Sequence, residues 1–220
     1  MKSLLNYVGQ IRIYSLLDIV IFGFALSSDL KVIVGIVLLW LSFMFLLEAT
    51  HKDELRLRIG NMIWLIPFGI SLIFVPFWLP FIFISLSFLY AQKKVGYWGI
   101  LSPLFRGSQN GVIALMFNPA FALIAFLLYT IRNLVGDFRD AGDDKKRIIH
   151  TIPVAIGLTN NSRLAFLGHL VLVISTTLFW YSKTNLSLAV IVVVILIQIL
   201  SYPLTPRISN PKWLREVYGN

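Results

Sequence analysis

Apolar runs about as long as a bilayer is thick recur along this chain, and they limit what it can fold into. Residues 11–28, 32–49, 60–75, 77–92, 99–117, 119–137, 163–181 and 186–204 are dominated by Leu, Ile, Val and Phe. A run of about 20 apolar residues spans hydrocarbon as a helix. A helix also bonds its own backbone polar groups, which lipid cannot do for it. The runs therefore predict an all-α transmembrane bundle of about eight spans, in a single domain over residues 1–220. The composition agrees, since 58% of the 220 residues are hydrophobic, above the share in soluble domains. Pro76 and Pro80 mark a turn between the third and fourth runs, and Asn118-Pro119 another between the fifth and sixth.

The net charge is +9. In a chain this apolar, such an excess reads as the Lys and Arg bias of cytoplasmic loops rather than as a nucleic-acid surface. With the N-terminus inside, seventeen basic residues fall on one face, among them Lys2, Lys52, Arg56, Lys93, Lys94, Lys145, Lys146, Arg147, Arg163 and Arg207. The other face has only Lys31 and Lys183. The expectation is a multi-pass integral membrane protein with its charged loops on the cytoplasmic side. Lys2 is followed by no small-residue cleavage site, so the first run reads as a span rather than a removable signal. The absence of cysteine excludes disulfides, thiolate metal sites and a cysteine nucleophile.

One stretch does not suit lipid. "GDFRDAGDDKKRIIHTIP", residues 136–153, places aspartates and a basic run directly after the sixth apolar segment. Asn133, Asp137, Asp140 and Asp144 are spaced by four, three and four residues, which puts them on one stripe of a helix. Carboxylates aligned in this way repel one another. A divalent cation relieves the repulsion, and Mg²⁺ commonly joins carboxylates to substrate phosphates. Arg132, Arg139 and Lys145 stand close enough in sequence to pair with phosphate oxygens. Within the fifth span, Arg106, Gln109 and Asn110 fall on one face, where they meet either a ligand or a neighbouring helix. His51, His150 and His169 have no metal-ligand spacing and read as structural.

"RNLVGDFRDAGDDKKRIIHTIPVAIG", residues 132–157, resembles the second Asp-rich region of the UbiA superfamily of intramembrane prenyltransferases. That region reads roughly R-[ED]-I-x-K-D-I-x-D-x-x-G-D, then a basic stretch, a Gly and T-L-P-x-x-x-G. Arg132, Asp137, Thr151, Pro153 and Gly157 match it, and Asp140 and Asp144 supply the later acids. Asn133 replaces an acid, and Ile148 stands at the Gly. "LYAQKKVGYWG" resembles the family's Y-S-x-x-L-K-R, with Tyr90 at the Tyr and Lys93 or Lys94 near the Lys. The family's first motif, N-D-x-x-D-x-x-x-D, has no full counterpart. "LLEATHKDELRLRIGN" offers only Glu48, Asp53 and Glu54 in its place. The CDP-alcohol phosphotransferase signature shares G-x-x-x-D-x-x-x-D, but residues 118–131 lack the acids it requires upstream.

The resemblance implies Mg²⁺-dependent transfer of a prenyl group from an isoprenoid diphosphate to an aromatic or lipid acceptor. It implies metal at Asp140 and Asp144, with Glu48 and Asp53 as candidates for a second metal and Asp137 in support. It implies substrate contacts from Tyr90, Lys93, Lys94, Arg106, Asn110, Arg132, Asn133, Arg139 and Lys145. The incomplete first motif leaves a second expectation, a non-catalytic relative that binds or scaffolds isoprenoid lipids. A transporter is a third, since intramembrane acids also line ion paths, but no pair of broken helices in matching halves supports it.

Overall fold

A computed structural model describes residues 12–50 and 60–204. Among them the secondary structure is entirely helical. The helices are α1 (Ile13–Leu26), α2 (Leu30–Thr50), α3 (Leu65–Ser71), α4 (Trp78–Ala91), α5 (Trp98–Leu115), α6 (Pro119–Lys146), α7 (Ile152–Ala155), α8 (Arg163–Tyr181) and α9 (Leu188–Ser201). A helix overlaps each of the eight apolar runs. Three of them, α2, α6 and α8, are long and apolar enough to cross a membrane. The third run forms only the seven-residue α3, with turns on either side.

The chain divides into two compact units, residues 1–74 with 170–220, and residues 75–169. In the first, α1 packs on α2 and α9, and α2 on α3. Trp40, Phe43, Phe22 and Trp180 are buried, with the Phe22 and Trp180 rings edge to face at 4.7 Å. Asp18 is fully buried here. The Thr177 hydroxyl donates to it at 3.1 Å. Gln198 Nε2 donates to Thr177 Oγ1 at 2.8 Å and to the Tyr14 carbonyl at 3.0 Å. These bonds tie α1, α8 and α9 together, as polar side chains commonly do between apolar helices.

The second unit is built on a hairpin of α5 and α6. Asn118 caps α6 by accepting from the Ala120 N–H at 2.7 Å, and Pro119 takes the first helical position, where no N–H is needed. This is the turn expected at Asn118-Pro119. Gly107 and Gly111, in the sequence "GSQNG", let the two backbones close. A Cβ on Gly107 would lie 2.5 Å from the Phe126 carbonyl oxygen, and one on Gly111 would lie 3.3 Å from that of Ala122. Small residues four apart permit such an approach.

Pro103, inside α5, withholds the N–H that the Gly99 carbonyl would otherwise receive. The Ser102 hydroxyl donates to that carbonyl instead, at 2.9 Å. The start of α5 also meets the chain beyond α6, because a Cβ on Gly99 would fall 2.6 Å from the His150 carbonyl oxygen.

α6 runs nine residues past the end expected at 137. Its 28 residues measure about 42 Å, against a hydrocarbon thickness of about 30 Å. Apolar residues fill its first half, and the charges are confined to the part from Arg132 onward. The helix closes in a Schellman arrangement. The Ile149 N–H reaches the Asp144 carbonyl at 2.9 Å and the Ile148 N–H reaches that of Lys145 at 3.1 Å. Ile148 therefore takes the left-handed position, φ 58°, where such turns favour glycine.

Candidate functional site

The polar C-terminal half of α6 faces the turn between α4 and α5. Tyr90 ends α4 as a buried ring, and its hydroxyl donates to Asn133 Oδ1 at 3.2 Å. One short turn later Lys93 extends its ammonium to Asp137 Oδ1 at 2.6 Å, with Asp144 Oδ2 at 3.6 Å. The other Asp137 oxygen lies 3.3 Å from the Ser102 hydroxyl. That hydroxyl has one proton to share between this carboxylate and the Gly99 carbonyl. Asp137 is 3% exposed and Asp144 7% exposed, so both charges are removed from bulk water. Burial works against the Lys93 charge, but Asp137 and Asp144 outweigh it and raise its pKa above the ordinary lysine range.

Asp140 takes a different partner. Arg139 forks onto it through Nε, at 2.6 Å, and through Nη2. Arg139 Nη1 lies 3.1 Å from His169 Nδ1, and both residues are buried. The close approach of α8 is possible because position 136 is glycine, where a Cβ would come within 3.3 Å of the His169 ring. Asn161 closes the far end. Its side-chain oxygen accepts from the N–H groups of Gly142 and Asp143 at 2.7 and 3.1 Å.

The structure thus brings together Tyr90, Lys93, Asn133, Asp137 and Asp144, all expected from sequence. Arg139 and Asp140 are adjacent but joined to each other. Lys94 shares the turn of Lys93 and is half-buried, while Lys145 is exposed on the last turn of α6. Arg132 is buried with its guanidinium over the Tyr129 ring, 5.6 Å from the centroid. Arg106 and Asn110 form a separate polar row, one and two turns beyond Ser102 along α5. Arg106 donates to Gln109 at 2.9 Å and Gln109 to Ser87 at 2.7 Å, which links α5 to α4. Asn110 donates to the Arg106 carbonyl at 3.0 Å. Glu48 is buried on α2, in the first unit, and Asp53 and Glu54 lie outside the described residues. The histidines expected to be structural include His51, also outside the described residues, and His150, whose ring packs on Tyr97 at 4.9 Å.

Ser102 and Asn161 are contacts that sequence reasoning missed, while His169, expected to be structural, is buried against Arg139. Proline at 103 is a signal for Ser102, because the carbonyl it strands needs a donor nearby. Nothing in the sequence points to Asn161.

Among the described residues, no group of three or more His, Asp or Glu side chains converges in the manner of a protein-only metal cage. Mg²⁺ does not require one, since one or two carboxylates with phosphate and water suffice. Asp144 suits this role. Its buried Oδ2 makes no hydrogen bond but faces the Lys93 ammonium at 3.6 Å, and the buried Thr151 hydroxyl lies beside the same carboxylate. Asn133 Nδ2 is also buried without a hydrogen-bond partner. A carboxylate with a hydroxyl beside it can serve a hydrated cation carrying phosphate oxygens, while Asn133 stands eleven residues, about 16 Å, back along α6. Comparison with protein-family models, with curated proteins and with solved structures found no match to this chain.

Proposed function

We propose that this chain is a multi-pass membrane enzyme that transfers a prenyl group from an isoprenoid diphosphate to an apolar or amphipathic acceptor with Mg²⁺. In the reaction the allylic C–O bond breaks, diphosphate leaves with the electron pair, and an acceptor nucleophile attacks the carbon and gives up a proton. The observation that carries this reading lies in residues 132–157, the stretch that resembles the UbiA motif. It folds as one charged helix end against Tyr90 and Lys93, the two residues assigned to the family's other motif. The backbone adds support. Positions 148 and 157, both glycine in the family pattern, both adopt left-handed φ, 58° and 89°.

In this reading Asp144 and Asp140 hold the cation, which neutralises the leaving diphosphate. Lys94, Arg132, Arg139 and Lys145 are the candidate partners for phosphate oxygens, with Asn133 and Thr151 as neutral donors. Glu48 and Asp53 are the candidates for a second cation. The prenyl tail lies along apolar helices that exclude water from the carbocation. The basic cluster faces the cytoplasm.

The test is release of diphosphate from prenyl diphosphates of several chain lengths by the purified protein, with Mg²⁺ and a panel of acceptors. Transfer that chelation abolishes is expected. A second reading, a non-catalytic binder of isoprenoid lipids, is favoured by one observation: Lys93 already occupies Asp137. Diphosphate binding without turnover across the acceptor panel would select it.

A further inference from the structure

The carboxylates of α6 carry an internal counter-charge that their spacing did not suggest. Asp137 and Asp144 are seven residues apart, two turns along one face. The Lys93 ammonium stands between them, 2.6 Å from one and 3.6 Å from the other. The two acids are nearly buried, and their unscreened repulsion would be costly. A lysine ammonium is a compact point charge with three donors, so it can serve two carboxylates at once. It reaches them from a tight turn on a separate helix pair, held by Tyr90 on Asn133 and by the approach of Gly99 to the His150 carbonyl.

We infer, on the reading of this cluster as a metal-assisted diphosphate site, that Lys93 is a resident cation filling the place between Asp137 and Asp144 and so excluding a divalent ion from it. Metal is then left to Asp140 and to the part of the Asp144 carboxylate that Lys93 does not face. Asp144 Oδ2 faces the ammonium at 3.6 Å without hydrogen-bonding it, so this carboxylate is less firmly held by Lys93 than Asp137 is. Lys93 is accordingly a determinant of how many metals the site takes. It is not a contact to the departing phosphate.

The experiment counts bound Mn²⁺ by electron paramagnetic resonance in the full chain with inorganic diphosphate. Lys93→Gln is expected to take up one more Mn²⁺ than the wild-type protein, or to bind it at least tenfold more tightly. The double variant Lys93→Gln/Asp137→Asn, which removes one ligand of the vacated place, is expected to return to the wild-type count. Equal uptake by Lys93→Gln and wild type, including none by either, overturns the inference. A second measurement needs no variant. Amine acylation mapped by mass spectrometry should find Lys93 protected with and without Mn²⁺. Exposure of Lys93 on adding Mn²⁺ would show the metal displacing the ammonium, against the inference. Neither readout involves a prenyl group, so a failure of prenyl transfer leaves both comparisons intact.

Discussion

Gly107 on α5 meets Thr130 on α6 so closely that a Cβ at position 107 would lie 2.0 Å from Thr130 Oγ1. The threonine can rotate away, but the Phe126 carbonyl oxygen, 2.5 Å from the same Cβ, belongs to the backbone and cannot. Gly107→Ala therefore forces the helices of the hairpin apart. The expected cost is about 1–3 kcal/mol, read as a lower melting temperature in detergent. Gly69→Ala is the control, since no atom lies within 4 Å of its Cβ position and alanine is the better helix former. Equal melting of the two variants would contradict the packing described for α5 and α6.

The Schellman turn at the end of α6 leads to an unusual expectation, a stabilising glycine. Ile148 holds φ 58° and is 76% exposed, so its side chain gains little from burial. An L-residue in this conformation costs about 1–2 kcal/mol, and glycine avoids it while losing some chain entropy. Ile148→Gly should raise stability by about 1 kcal/mol. A lower melting temperature for this variant would show that the isoleucine makes a contact outweighing its backbone strain.

The Lys93 tie has a definite pH dependence. Its folded pKa is raised, so its contribution is complete below the unfolded lysine value and is lost only as pH rises through the higher folded value. The unfolded value is about 10.4. Wild-type melting temperature should show no loss attributable to Lys93 between pH 7 and 9. A wild-type melting temperature that falls steadily across this window, with no such fall in Lys93→Met, would mean that the ammonium is already losing its proton.

Much of this was legible in the sequence, for reasons that particular residues make clear. Eight apolar runs marked where helices form, and Asn118-Pro119 marked a turn, because hydrophobic length and proline act locally. The spacing of Asn133, Asp137 and Asp144 found their common face for the same reason. The end of α6 was missed. The apolar pattern stops near 137 while the helix goes on to 146, and the terminating position holds isoleucine where a glycine would have signalled the stop. The partition of the carboxylates was not legible either. Lys93 reaches Asp137 across 44 residues of chain, and no periodicity records which of two neighbouring lysines turns inward. Arg139, forked onto Asp140, also meets His169 from yet another helix, a contact that spacing along α6 does not record.

Glu48 tests the missing first motif. If it holds metal during turnover, Glu48→Gln should slow prenyl transfer at least tenfold, about 1.4 kcal/mol, and Asp53→Asn should slow it less. Unchanged turnover in Glu48→Gln would confine the metal chemistry to the acids of α6.

The most direct test of the central claim is the thermal shift given by a prenyl diphosphate. A ligand that binds only the folded state raises the melting temperature in proportion to its affinity. If the α6 cluster is a metal-assisted diphosphate site, the wild-type protein should be stabilised by prenyl diphosphate with Mg²⁺ present and not after chelation. Asp144→Ala should remain folded and lose that shift. A shift that survives chelation, or one of equal size in Asp144→Ala, would contradict the account.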